Sequence, residues 1–309
     1  MITRRILIGM AAAAALFASS AAVAEDWKAK YPELVFAVVP AENASGVIDR
    51  WTPFCDYLAK QLGTKVTLRI ANDYAAVIEG QRAGNIHIAY YGPASFARAL
   101  ITGVKTEAFA IDVNSDGSKG YYSVFYVLAK SPYQKIEDLK GKNLGLVDPN
   151  STSGYNMPLY TLNAMEITAE SFFSKVQVTG SHENAVLALA QGTVDVAANW
   201  WNADDDSNLT RMLNKHMLKN ADGTEMKRDD FRIVLKSKLI VNSPYAYVAD
   251  LPDDLKAAIR TAFLDAAKND KADYDRLSDG KNQPWQPIAN KDYDETIKLI
   301  KFVDSLKKS

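Results

Sequence analysis

Val77-Ile-Glu-Gly-Gln-Arg-Ala-Gly84 leads into Asn85-Ile-His-Ile-Ala-Tyr-Tyr91, and later Val186-Leu-Ala-Leu-Ala-Gln-Gly192 leads into Thr193-Val-Asp-Val-Ala-Ala-Asn199. Each unit is a helical run closed by glycine, the residue that takes the left-handed conformation just past a helix end. Each then continues as a strand of the form polar, β-branched, polar, β-branched, alanine. Two such units in one chain predict two similarly built α/β lobes.

The same alternation extends outward from both units. Short apolar strands are predicted at 34–39, 66–70, 86–91, 123–128, 143–147, 194–198 and 233–235. Helices are predicted at 48–62, 74–82, 153–165, 183–190, 253–267 and 293–305. Strands alternating with helices imply mixed, mainly parallel sheets flanked by helices. Asn114-Ser-Asp-Gly-Ser-Lys-Gly120 is a polar, turn-rich run between apolar segments and marks a crossing between lobes. A return crossing is expected near 236–244. The expected layout is a leader at 1–24, one lobe from 25–117 and 239–309, and a second lobe at 118–238, with a cleft between them and the crossings as hinges.

The leader reading rests on Arg4-Arg5, an apolar run from Ile6 to about Ala18, and Ala22-Val23-Ala24. That order is the pattern of a secretory signal peptide cut after Ala24, and the run is short for a membrane span of ~20 residues. The expected product is an exported protein without stable membrane insertion, placed in the periplasm. Lys+Arg 36 against Asp+Glu 37 gives a net charge of −1, so no global field attracts nucleic acid. Cys55 is the only cysteine, which excludes an internal disulfide. It shares a helical stripe with Trp51, Leu58 and Leu62 and is read as a buried, inert thiol.

Gly145-Leu-Val-Asp-Pro-Asn-Ser-Thr-Ser-Gly154 carries the main chemical signal. A strand ends at Val147, Asp148-Pro149-Asn150 turns the chain, and Asn150 or Ser151 caps the helix that follows. The first amides of a helix have no partner within it, so together with Ser and Thr hydroxyls they form an anion site. Gly154 is read as letting a ligand approach the backbone. His182-Glu183 starts a second helix on the same side, where the imidazole is either a donor to an oxyanion or a surface histidine beside a helix cap. Tyr74, Tyr90, Tyr91, Tyr121, Tyr122, Trp200 and Trp201 are candidates to wall a closed pocket. Catalytic patterns are poor: no Gly-x-Ser-x-Gly and no His-Glu-x-x-His occurs, and His87, His182 and His216 suggest no metal site. Ser153, His182 and Glu183 imitate a triad, but adjacent side chains diverge. No enzyme activity and no cofactor are expected.

These residues resemble the phosphonate-binding proteins of bacterial ABC importers, of the type II periplasmic-binding fold. The resemblance runs through Trp51-Thr-Pro-Phe54, Asp73-Tyr74-Ala75, Tyr91-Gly92, Asp116-Gly117, Gly120-Tyr121, Asp148-Pro-Asn-Ser-Thr-Ser-Gly154, His182-Glu183, Val194-Asp195-Val196-Ala197 and Trp285-x-Pro287. It implies that Ser151, Thr152 and Ser153 bind the phosphonate oxygens, with His182, Tyr121 and Tyr74 completing the shell, and that a membrane permease is the partner. Members similar to this chain that bind aminoalkylphosphonates carry two acids facing the ligand amine. Those positions fall at Asn202 and Ser243, and neither neutralises an ammonium. The expected ligand is therefore an alkylphosphonate, phosphite or phosphate, with a small or uncharged substituent. Asp204, Asp205 or Asp206 offers a substitute acid, but a run of three acids is more often a solvated loop and is read as one. The alternatives are another small anion such as a sulfonate, or a secreted phosphoester hydrolase.

Overall fold

The computed structural model describes residues 27–306, so the leader at 1–24 lies outside the described residues. The chain opens with α1 (Trp27–Lys30), β1 (Glu33–Val38), α2 (Ala44–Leu62), β2 (Lys65–Ile70), α3 (Tyr74–Arg82), β3 (Ile88–Tyr90), α4 (Pro93–Ile101) and β4 (Thr106–Asn114). It continues through β5 (Gly120–Leu128), β6 (Asn143–Leu146), α5 (Met157–Asn163), α6 (Ala169–Phe172), β7 (Lys175–Val178), α7 (His182–Ala190), β8 (Val196–Ala203), β9 (Asp206–Ser207), α8 (Asn208–Asn214) and β10 (Phe231–Lys236). The last part holds β11 (Ile240–Val241), β12 (Pro244–Val248), α9 (Asp253–Leu264), α10 (Ala266–Asn269), α11 (Lys271–Ser278), β13 (Asn282–Gln286) and α12 (Asp294–Leu306).

Two sheets result. The first has the order β13-β4-β12-β3-β1-β2, the second β10-β5-β8-β6-β7 with β11 on β5 and β9 on β8. The repeated units of sequence become the same structure twice. The carbonyl of Gly80 accepts the amides of Asn85 and Ile86, and that of Ala188 accepts those of Thr193 and Val194. Gly84 and Gly192 between them sit at φ 71° and 72°, where a Cβ would be strained. Each unit then lays its strand parallel to a central one, β3 on β1 and β8 on β6.

The sheets are less parallel than the alternation of elements suggests. Parallel pairing is confined to β2-β1-β3 and β7-β6-β8. The crossing strands run the other way: β12 is antiparallel to both β3 and β4, and β5 to both β8 and β10. A strand that carries the chain back from the other sheet enters in the opposite direction, so each crossing adds an antiparallel pair.

The first sheet packs on an aromatic core. Phe54 meets Phe263 edge to face at 5.1 Å, and Tyr245 lies 4.5 Å from Trp285. Within it sits a buried carboxylate, Asp112, which accepts from Tyr90 Oη at 2.6 Å, Trp285 Nε1 at 2.8 Å, Asn282 Nδ2 at 3.3 Å and Tyr245 Oη at 3.4 Å. Burial raises its pKa, against those donors and the charge of Arg211. The C-terminal helix belongs to neither sheet alone. Ile300 of α12 packs on Ala94 and Ala97 of α4, while Val303 joins Leu159 and Leu162 of α5. Arg98 of α4 pairs with Asp304 of α12. No helix among the described residues is long and apolar enough to cross a membrane.

Cys55 is 2 % exposed in α2, and burial pushes its thiol up to about 12. A soluble disulfide reagent at pH 8 is expected to leave the native protein unlabelled and to label one thiol in guanidinium. Rapid labelling without denaturant would contradict this packing.

Candidate functional site

The turn after β6 builds the end of the cavity where an anion is expected. Asn150 N donates to Asp148 Oδ1 and Ser151 N to Asp148 O, both at 2.7 Å, which folds the chain back on itself. Ser151 is the N-cap, its hydroxyl accepting the Gly154 amide at 3.2 Å. The single helix expected at 153–165 is instead a π-helical turn, Thr152–Asn156, followed by α5. Such wide turns recur at functional sites because they re-aim backbone groups. Gly154 explains the shape, and its role differs from the expected one. A Cβ there would lie 2.3 Å from Val147 Cγ2, so the glycine lets the turn press on the strand end rather than admitting a ligand. The amides of Thr152 and Ser153, first in the turn, have no acceptor inside it.

Thr152 serves both lobes. Its hydroxyl oxygen accepts the Ala94 amide at 2.8 Å, capping α4, whose own N-cap Gly92 has no side chain to do so. Its hydroxyl hydrogen remains for another acceptor. Ser153 is anchored through its carbonyl, which accepts from Ser123 Oγ at 2.6 Å. Tyr74 and Tyr121 lie beside these groups, and both phenols stay protonated. Burial raises Tyr74 well above its ordinary range, helped by the charge of Asp148 and opposed by a hydrogen bond with Ser151. Burial pushes Tyr121 up to about 12 against hydrogen bonds with Thr152 and Ser153.

His182 begins α7 and reaches the same place, its Nε2 3.3 Å from Ser151 Oγ and its Nδ1 3.0 Å from Asn199 Oδ1. Burial pulls the ring down to about 4, with the Asn199 bond working the other way. The imitation of a triad is dispersed. Glu183 turns from His182 to accept the Asn43 amide and side chain, both at 2.8 Å.

Ser151, Thr152, Ser153, His182, Tyr121, Tyr74 and Asn202 all line one cavity between the sheets, together with Ser243. Its room for water centres is about 170 Å³, against the ~10–15 Å³ one water needs, so it holds more than a bare ion. Of the aromatic candidates, Tyr90 and Trp200 also line it. Tyr91 is buried against Gln81, and Tyr122 and Trp201 instead flank Lys236 at 3.7 and 4.3 Å.

The far end is more highly charged than expected. Asp204 and Asp205 are exposed and paired with Arg228 and Lys281, but Asp206 turns inward and accepts from Asn202 Nδ2 at 2.9 Å. The reading of all three acids as a solvated run therefore fails at Asp206, because β9 pairs with β8 and directs it to the cavity. Arg211 lines the same wall, stacked on Trp200 at 4.8 Å and paired with Asp279 at 3.2 Å. An uncharged ligand substituent is thus no longer implied by Asn202 and Ser243 alone.

Direct bonds join the lobes around the cavity. His182 N donates to Ala41 O at 3.1 Å, Glu42 pairs with Lys215 at 3.3 Å, and Lys281 with Asp205 at 2.6 Å.

A family model described as "ABC transporter, phosphonate, periplasmic substrate-binding protein" matches residues 36–293. The chain belongs to that family. It is 34% identical over 261 residues to the phosphonates-binding periplasmic protein of Escherichia coli (strain K12), covering 82% of this chain and 71% of the relative. It is 30% identical over 284 residues to the phosphate-import protein PhnD of Mycolicibacterium smegmatis, covering 85% and 84%. A crystal structure of a binding protein component of an ABC phosphonate transporter from Pseudomonas aeruginosa superposes with a TM-score of 0.73 at 26% identity, over 90% of this chain and 87% of that one. The two-lobed type II fold and the place of this family member among solute-binding proteins follow.

Sequence reasoning missed Asp112, Arg211, Trp51 and Arg50, all of which line the cavity. Asp112 left a signal, a lone acid inside the apolar run Phe109-Ala-Ile-Asp-Val113. Arg211 left none, because its stacking on Trp200 is made only by the fold.

Two outcomes test this geometry. Gly154→Ala is expected to cost about 1–3 kcal/mol in chemical denaturation, since Val147 has to move; an unchanged midpoint would contradict the close approach. A His182 ring held neutral binds fewer protons folded than unfolded between pH 4 and 6.5. Its contribution to stability is therefore complete above 6.5 and lost as the pH falls towards 4. His182→Gln should flatten that part of the Tm-against-pH curve; an unaltered curve would show the ring is not the source.

Proposed function

We propose that this protein is the extracytoplasmic receptor that hands a phosphonate, phosphite or phosphate to the permease of an ABC importer. Residues 1–24 serve as its leader, cut after Ala24, and the mature chain works in the periplasm. The observation that carries this reading is convergence. The amides of Thr152 and Ser153 and the hydroxyls of Ser151, Thr152 and Ser153 meet Tyr74, Tyr121 and His182 at one end of one cavity. These groups are neutral, so the anion is held by directed hydrogen bonds, and those that donate to it are worth more to a charged acceptor than to a neutral one. The names of the Escherichia coli and Mycolicibacterium smegmatis relatives support the same ligand class.

Tyr74 stands on the lobe of the first sheet and Ser151–Ser153 on that of the second, so a ligand touching both favours the closed arrangement. That arrangement is what the permease recognises. The rim pairs Glu42–Lys215 and Asp205–Lys281 are partly exposed and add little individually, ~0–1 kcal/mol each. Ligand contacts add to these pairs, and to the bonds that Thr152, His182 and Glu183 make across the cleft, in favouring closure.

Calorimetry with methylphosphonate, phosphite and phosphate tests the reading. Ser153→Ala should weaken the best of them about 10-fold or more, as expected for one hydrogen bond to a charged group, with a Tm that shows the variant folded. An affinity equal to that of the parent protein would remove Ser153 from the site, and binding of none of the three would sink the assignment.

A further inference from the structure

The hydrogen bonds around His182 determine which ring atom donates. Asn199 Oδ1 accepts the Trp200 amide at 3.0 Å, and Asn199 Nδ2 donates to the His182 carbonyl at 2.9 Å. Both bonds orient the amide with its oxygen towards the ring. His182 Nδ1, 3.0 Å from that oxygen, therefore carries a hydrogen. Burial keeps the ring neutral, so Nε2 holds a bare lone pair. The expectation that His182 donates to the anion is thus reversed: in this tautomer it accepts.

Nε2 has a partial partner. Ser151 Oγ already accepts the Gly154 amide, which leaves its own hydrogen for Nε2 across 3.3 Å. That separation is long for an O–H donor, and the bond is one a ligand can replace. The hydroxyl then turns to a ligand oxygen. An end of the cavity otherwise made of amides and hydroxyls holds a single imidazole acceptor among them.

We propose that His182 selects an oxyanion by its proton: the ligand is bound with one proton in the contact between His182 Nε2 and a phosphorus-bound oxygen. This rests on the anion end being placed as described under the proposed function. A monoanionic phosphonate or phosphite brings the proton as its own P–O–H. The dianion takes one from solvent as it binds. A sulfonate has the same shape and three oxygens, but it is too strong an acid to carry a proton near neutrality. It meets Nε2 lone pair against lone pair, and a buried acceptor is left unpaired. The site therefore discriminates phosphorus from sulfur oxyanions without a charged side chain.

The surrounding titratable groups leave this contact to the ring and the ligand. Tyr74 and Tyr121 remain protonated, and burial raises the Asp148 carboxyl. Glu183 is committed to Asn43, and Glu42 to Arg50 and Lys215. Only burial and the Asn199 bond act on the ring itself.

Calorimetry of the full mature chain in two buffers of different ionisation enthalpy counts the proton directly. The probes are methylphosphonate and methanesulfonate between pH 5.5 and 9. Phosphorus oxyacids lose their second proton near neutrality, ~6 for a phosphomonoester. Above the second ionisation of methylphosphonate, uptake of about one proton per ligand is expected, with affinity falling about tenfold per pH unit. Methylphosphonate should bind at least about 100-fold tighter than methanesulfonate at pH 6.5. In His182→Gln, whose amide can donate to the anion, that ratio should narrow to below about 10-fold and the proton uptake should vanish, with a Tm showing the variant folded. Tight methylphosphonate binding with no proton uptake, or equal affinity for methanesulfonate, overturns this inference and leaves the anion site standing. Failure of methylphosphonate, phosphite and phosphate alike to bind overturns both.

Discussion

A helix that starts directly after a buried strand presents backbone donors that the protein itself does not satisfy. Here that place is the turn between β6 and α5, and much of the cleft is arranged around it. Ser151 caps the turn, Gly154 presses it against Val147, and Thr152 reaches from it to cap α4 of the other lobe. Removing water from such a turn leaves the Thr152 and Ser153 amides to an anion or to nothing. On the proposed function, the fold carries its ligand preference in its main chain, and the side chains refine it.

The refinement is of two kinds. At the anion end the titratable groups are held neutral by burial: Tyr74 and Tyr121 upward, His182 downward. Hydrogen-bond direction, rather than net charge, then decides what fits. At the far end the wall carries both signs, with Asp206 and Asp112 beside Arg211. Asp112 costs desolvation and is tolerated because four side chains donate to it. Those donors, Tyr90, Tyr245, Trp285 and Asn282, tie the aromatic core to the cavity wall, so packing and recognition share the same residues.

The repeat of helix, glycine and strand was readable because it is local: the left-handed glycines and the carbonyls of Gly80 and Ala188 are specified within a few residues. The capped turn was readable for the same reason, and Ser151, Thr152, Ser153, His182, Tyr121 and Tyr74 all line the cavity, whereas Gly154 does not. What escaped depends on contacts between one element and another. The antiparallel share of the sheets comes from crossings, the π-helical turn from Val147 behind Gly154, and the inward direction of Asp206 from the pairing of β9 with β8. The donor role expected of His182 required knowing the tautomer, which Asn199 determines from another strand. Arg211 joins the wall only through Trp200 and Asp279.

The position of β12 between β3 and β4 has a consequence for how the molecule comes into being. The first sheet is interrupted until residues beyond 243 arrive to fill the gap, and α12, which straddles both lobes, arrives last of all. No N-terminal fragment can complete the aromatic core, since Tyr245, Phe263 and Trp285 come from the final third of the chain. Pairings so distant in sequence make for slow folding. For a protein exported as proposed above, that delay is useful: a chain unable to close its first lobe until the residues beyond 243 are made stays threadable while it crosses the membrane.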